Sequence, residues 1–239
     1  NCLIQLNAPE MPILDGSAAV YCENIEKVGV VEQNADKDYY IIKQKIEVRD
    51  DSTGASIIAL PDDKFSVDVM VNFDSKVLAN QFATLDDLSE FKNEISACRT
   101  FVFVREIEPL FKANLIKGGD LGNAIVIYDS PMAQDELDSI ADTMGCPRKQ
   151  VNEFGYINNK PLSFENEPAR HKLLDILGDI ALIGRPIIGH IIATKPGHSL
   201  NTAFAKQIRK EIKRQDMQAP RYNMSAEPNM SVNQIRNLL

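Results

Sequence analysis

Phe65-Ser66-Val67-Asp68-Val69-Met70-Val71 is the stretch on which the fold class turns. Its apolar side chains recur at every second position, the period of a strand with one covered face and one wetter face, and not the 3.6-residue period of a helix. Two neighbouring runs, Tyr39 to Arg49 and Ala55 to Leu60, have the same character. The turn formers Asp50-Asp51-Ser52-Thr53-Gly54 and Pro61-Asp62-Asp63 separate the three runs, so an antiparallel meander is expected.

Upstream, Cys2-Leu3-Ile4-Gln5-Leu6 reads as a strand and Ala8 to Gly16 as a turn region, and Ser17 is placed to cap a helix running to about Lys27. Downstream, Thr84-Leu85-Asp86-Asp87 has the form of a capped helix start and predicts a helix to about Cys98. A strand (Thr100 to Val104), a helix (Ile107 to Asn114), the turn Lys117-Gly118-Gly119-Asp120 and a strand (Asn123 to Tyr128) make a compact unit. Helices follow over about Ala133 to Met144 and Ala169 to Ile183. After Gly184-Arg185-Pro186 come a strand (Ile187 to Thr194) and a helix from Ser199 to about Lys213. Strands and helices in separate runs predict an α+β fold of sheet and helix layers, not a doubly wound parallel sheet. Gln215 to Asn229, rich in Met, Pro, Asn and Gln, reads as a linker, after which Met230-Ser231-Val232 opens something new.

With 239 residues the chain can bury a real core. A formal net charge of -8 argues against a nucleic-acid binder, which needs a basic face to neutralise phosphates. Cys2, Cys22, Cys98 and Cys146 form no C-x-x-C pair, so reduced thiols of a cytoplasmic protein are expected. The apolar runs Ile180 to Ile183 and Ile187 to Thr194 are far shorter than the roughly 20 residues that span a bilayer, so no transmembrane segment is expected. The chain starts at Asn1 without an initiator methionine or a signal-peptide pattern, and is expected to be the interior of a longer protein.

Three histidines can be weighed one by one. In Arg170-His171-Lys172-Leu173-Leu174-Asp175-Ile176-Leu177-Gly178-Asp179, His171, Asp175 and Asp179 lie four apart and share a helix face. A histidine and a carboxylate at that spacing can reach one zinc ion. A bare His-x-x-x-Asp is, however, more often a surface pair than a ligand pair. His198, in the turn Lys195-Pro196-Gly197-His198, stands where loops commonly carry catalytic groups, whereas His190 lies within an apolar strand and reads as structural. Asp179 either orients His198 or is a solvated helix carboxylate. Lys172 either holds a phosphate or oxyanion or faces water. Gly118-Gly119 has neither the P-loop nor the dinucleotide-fold spacing and reads as a turn.

Asn1-Cys2-Leu3-Ile4, Pro9 to Ala18, Cys98-Arg99-Thr100-Phe101, Gly118-Gly119, Arg170 to Asp175 and Gly197-His198-Ser199-Leu200-Asn201 occur in that order. Together they resemble the UDP-3-O-acyl-N-acetylglucosamine deacetylases, zinc amide hydrolases at the committed step of lipid A synthesis, and the resemblance covers about Asn1 to Arg214. It implies two similar α+β domains: 1–32 as the end of the first and 36–214 as the second. Within the second, the unit at about Thr100 to Tyr128 would be an insert shaping a passage for the substrate's acyl chain. Ile107, Leu121 and Val126 would line that passage, although by pattern alone they read as core.

Carried over residue by residue, the resemblance makes His171 and Asp175 two ligands of Zn2+ and His198 the general acid with Asp179 as its partner. Lys172 becomes a substrate contact, Thr100 a hydroxyl beside the reacting carbonyl, and Phe101 a ring packed on the substrate. The third ligand, a histidine, and the general-base glutamate before it would lie upstream of Asn1, so the chain by itself is expected to have little activity. Met230 to Leu239 is similar to the opening of a 3-hydroxyacyl-acyl-carrier-protein dehydratase, which implies a fusion with acyl carrier protein as a further partner. The competing expectation is a non-catalytic fragment that binds acyl ligands through the same passage.

Overall fold

A computed structural model describes residues 2–112, 120–145, 147–157 and 160–218. In chain order the elements are α1 (Ala19–Val28), β1 (Tyr40–Ile41), β2 (Ile46–Asp50), β3 (Ala55–Leu60), β4 (Phe65–Val71), β5 (Gln81–Leu85), α2 (Phe91–Glu94), β6 (Thr100–Phe103) and α3 (Val104–Lys112). They continue with β7 (Ala124–Tyr128), α4 (Gln134–Met144), β8 (Gly155–Ile157), α5 (Glu167–Ala181), β9 (Ile187–Thr194) and α6 (His198–Gln218). The fold is α+β, as the segregated pattern implied.

The larger sheet has the strand order β2-β3-β9-β4-β5, with β1 pairing β9 in parallel. The expected meander is therefore only half right. β2 with β3 and β4 with β5 are antiparallel neighbours, but β9 enters between β3 and β4, antiparallel to the first and parallel to the second. The reason is burial. β9 buries Ile187, Ile191 and Ala193 on the covered face and takes the central place, where both its edges are hydrogen-bonded.

α5 and α6 cover one face of this sheet. Leu173, Ile176 and Ile180 from α5 and Phe204 and Ile208 from α6 meet Ile57, Val67, Val69 and Ile191 in a single core. Burying each such side chain contributes about 1.5–3 kcal/mol, so this contact fixes where α5 stands. The other face carries Ser66, Asp68 and His190. His190 Nε2 donates to Asp68 Oδ2 at 3.1 Å, and Nδ1 is 2.6 Å from Ser66 Oγ. Both ring nitrogens are thus engaged, which suits the structural reading.

The smaller sheet, β6-β7-β8, has β6 and β7 parallel with α3 between them in sequence, and β8 antiparallel on the far side. It is buried on both faces. Val126 and Tyr128 pack toward Val104, Ile107, Leu121 and Leu137, while Ile125 and Ile127 pack with Leu78 and Phe103. Gly16 joins the N-terminal segment to this sheet. Its φ is +78°, and a Cβ there would fall 1.7 Å from the Asn123 carbonyl oxygen, so only glycine fits. The Gly16 carbonyl accepts from the Thr100 amide at 3.0 Å.

Several expected boundaries move. Cys2 to Leu6 forms no strand, because nothing among the described residues pairs with it. Tyr39 to Arg49 is split into β1 and β2, since the chain must leave its parallel pairing with β9 before it can enter the hairpin. Thr84 and Leu85 end the edge strand β5 instead of opening a helix. Asp87, whose carboxylate accepts from the Ser89 amide at 2.7 Å, caps a short 3-10 turn, Leu88–Glu90, that leads into α2, and α2 ends at Glu94, short of Cys98. Ser17 stands one residue ahead of the α1 cap position, although its hydroxyl still accepts from the Ala19 amide. β8 was not expected.

α6 runs four residues past Arg214 into the supposed linker, where Asp216 pairs with Arg185 at 3.2 Å. The rest of that linker, the dehydratase-like segment 230–239, Gly118-Gly119, the end of the helix expected to Asn114, and Cys146 lie outside the described residues. Cys2, Cys22 and Cys98 are free thiols. No helix among the described residues is long and apolar enough to cross a membrane.

Candidate active site

α5 begins with Glu167-Pro168, a first-turn proline whose fixed φ suits a helix start. From there Glu167, His171, Asp175 and Asp179 recur one turn apart, about 6 Å per step along the axis. Leu173, Ile176 and Ile180 hold the opposite side of the helix in the core. The core thus dictates which way the polar row points, and the row is where the candidate chemistry lies.

His171 is 8% exposed. Its Nδ1 lies 3.0 Å from the Cys98 carbonyl oxygen, which can only accept, so Nδ1 carries the proton and Nε2 is left with a lone pair. Nε2 in turn lies 3.3 Å from Asp175 Oδ1. Burial pushes the imidazole below its ordinary 6.5, against the opposing pull of Asp175, and so favours the neutral ring. Cys98 contributes only its carbonyl, because burial pushes its thiol up to about 12. A neutral imidazole nitrogen beside a carboxylate oxygen is a donor set that fits zinc. Among the described residues no third His, Cys, Asp or Glu joins the pair.

Lys172 Nζ donates to Asp175 Oδ2 at 2.9 Å and stands 5.3 Å from the centroid of the Phe101 ring. The structure therefore brings together Lys172, Asp175, His171 and Phe101, with Phe101 on β6 wedged edge-on against Phe73 at 5.4 Å. Thr100 begins the same strand, two residues beyond the carbonyl that holds His171.

His198 opens α6, and its side chain is 70% exposed. Its Nδ1 donates to Asp179 Oδ2 at 2.9 Å, leaving Nε2 to face outward. Asn201, fully buried one turn further on, donates to the same carboxylate oxygen at 2.9 Å. The Asp179 carboxylate is mostly buried and accepts two hydrogen bonds, one from His198 and one from Asn201.

Ile107, Leu121 and Val126 are brought together, but buried in the core beside the smaller sheet. With Leu137 and Ile140 they line an apolar cavity of about 20 Å3, room for one water-sized group.

The sequence offers Arg99 and Asn201 only as members of longer motifs, without a role, and does not single out Glu167. Glu167 could have been found, for it continues the four-residue series one step before His171. It is fully buried and accepts from the Arg99 amide at 2.9 Å, Arg99 Nε at 2.9 Å, Arg99 Nη2 at 3.1 Å and the Ser163 amide at 2.6 Å.

Comparison with known proteins identifies the family. The family model of the UDP-3-O-acyl N-acetylglycosamine deacetylases (LpxC) matches residues 1–142 and 150–210. The chain belongs to this family. It is 62% identical over all 239 residues to proteins of Bacteroides thetaiotaomicron and Porphyromonas gingivalis, each named bifunctional enzyme LpxC/FabZ, and covers 52% of each. It is 37% identical over 210 residues to a UDP-3-O-acyl-N-acetylglucosamine deacetylase of an Anaeromyxobacter species, covering 87% of the chain and 60% of that relative. The chain thus spans about half the length of the bifunctional curated relatives it matches.

Proposed function

We propose that the protein, with chain upstream of Asn1 supplying the remaining groups, hydrolyses the N-acetyl amide of UDP-3-O-acyl-N-acetylglucosamine with the help of Zn2+. Acetate and a free glucosamine amine would be the products, in the committed step of lipid A synthesis. One observation carries the reading: His171 Nε2, freed by the bond from Nδ1 to Cys98, faces Asp175 Oδ1 at 3.3 Å on the helix face that also holds the His198–Asp179 pair. The names of the relatives supply the substrate class.

Zinc, when bound by His171 and Asp175, would supply Lewis acidity for water and for the acetyl carbonyl. The chain's own residues do the rest. His198, as imidazolium, gives a proton from Nε2 to the leaving nitrogen, and Asp179 on Nδ1 orients the ring for that transfer. The Thr100 hydroxyl donates to the developing oxyanion. Phe101 packs on the substrate, and Lys172 touches it while its bond to Asp175 holds the carboxylate's orientation. The acyl chain enters beside the insert, where Ile107, Leu121 and Val126 must part to widen their small cavity.

The test is acetate release from UDP-3-O-acyl-N-acetylglucosamine by the full-length protein. Turnover is expected to vanish on chelation, return with zinc, and be absent in His171→Ala. Turnover indifferent to both would refute the proposal.

We propose further, from the likeness of Met230 to Leu239 to a dehydratase opening and from the bifunctional LpxC/FabZ name of the relatives, that a dehydratase acting on 3-hydroxyacyl chains of acyl carrier protein follows the deacetylase part, and that both work in the cytoplasm. A full-length protein that formed no enoyl product from a 3-hydroxyacyl-acyl-carrier protein would rule the second activity out.

A further inference from the structure

Glu167 and His171 stand one turn apart on α5, and both hold the same peptide group. The Arg99 N–H, at one end of the Cys98–Arg99 peptide, donates to Glu167 Oε1 at 2.9 Å, and the Cys98 C=O, at the other end, accepts from His171 Nδ1 at 3.0 Å. We propose that Glu167, with Arg99, is a positioning device for the metal ligand: it fixes that peptide, and through it the tautomer and ring plane of His171. The inference rests on the zinc reading above for its purpose, though not for its geometry.

The arrangement is rigid for a physical reason. The Glu167 carboxylate is fully buried and takes four hydrogen bonds: the Arg99 amide, two guanidinium nitrogens and the Ser163 amide. Arg99 is 5% exposed, and its Nη2 also donates to the Pro161 carbonyl at 2.7 Å. A buried ion pair is a poor device for stability alone, because desolvation offsets most of its attraction, and apolar replacements are often tolerated. Here it contributes geometry. The strand residue before Thr100 is tied to the first turn of α5, so the carbonyl that receives His171 Nδ1 cannot rotate away. If it did, the ring would lose its anchor, and nothing would keep Nε2 toward Asp175. Partners of this kind behind a ligand typically change metal affinity by about ten- to a hundredfold.

The test uses the full-length protein, Zn2+ alone as probe, and two variants. Glu167→Gln keeps an acceptor for the Arg99 amide but loses the charge. Glu167→Leu with Arg99→Met removes the whole ion pair without leaving a lone buried charge. Long-range proton–nitrogen NMR of the metal-free protein reads the His171 tautomer, and competition with a chelating dye reads zinc affinity. Wild type is expected to show one tautomer with the proton on Nδ1. The folded double variant is expected to show averaged ring nitrogens and zinc binding weaker by about tenfold or more, with Glu167→Gln in between.

An unchanged tautomer and zinc affinity within twofold of wild type in the folded double variant would overturn the proposal. If the double variant does not fold, unchanged ring-nitrogen signals in Glu167→Gln overturn it instead. A wild type that binds no zinc yet shows the fixed tautomer, lost in the variants, would sink the zinc reading and leave the positioning role intact.

Discussion

His171 and His198 are held in the same way and left in opposite surroundings. Each gives its Nδ1 proton to an oxygen acceptor and so presents Nε2, but the acceptor is a backbone carbonyl for His171 and a carboxylate for His198. The first ring is 8% exposed as a residue, and the second is 70% exposed along its side chain. A neutral acceptor in a buried place favours a neutral imidazole, which can give a lone pair to a metal. A carboxylate acceptor in an open place leaves Nε2 of His198 accessible, so that in the proposed reaction it can pass a proton to a leaving group. Under the proposed function, the two ends of one helix face would divide ligation from acid catalysis by what stands behind each ring.

The division can be broken from either side. His198→Ala should lower deacetylation by about 10²–10⁴-fold with zinc content unchanged. Steady-state turnover beside metal analysis checks this, and a parallel loss of zinc would mean that the two ends are not separate. Leu173→Ala, in the buried side of α5 between His171 and Asp175, should cost about 2–5 kcal/mol in urea unfolding and disturb both ends together. Asp179→Asn keeps the size but not the charge behind His198. Turnover should fall by tens of fold, on the order of 1.4–2.7 kcal/mol, while zinc affinity holds.

The smallest effect concerns pH. His171 in the fold titrates below its ordinary 6.5 because burial disfavours the charged ring. The unfolded chain therefore binds a proton there that the folded chain refuses, and the stability is whole above 6.5 and falls away as pH drops below it. Urea melts of the metal-free protein at pH 7 and pH 5 should show the loss, and His171→Phe should flatten that part of it. A steeper dependence in the variant would reverse the assignment.

Much of this contrast is legible in residue spacing, because periodicity reports local faces. The row His171, Asp175 and Asp179 needed only the helix period, and Ile187 to Thr194 was bounded correctly by its apolar run and flanking Pro and Gly. Pairing partners were another matter. That β9 would divide β3 from β4 depends on contacts more than a hundred residues apart, which no local pattern carries. β5 was hidden because Phe82 points outward from an edge strand, and Thr84-Leu85-Asp86-Asp87 imitates a helix start. Arg99 and Glu167 look like surface charges in a sequence, and only the fold shows that they neutralise each other inside it.

Zinc content of the full-length protein, measured in parallel for wild type, His171→Ala and His198→Ala, tests the division most directly. One zinc per chain is expected in wild type, close to none in His171→Ala, and one in His198→Ala despite its lost turnover. Equal zinc in wild type and His171→Ala would contradict it.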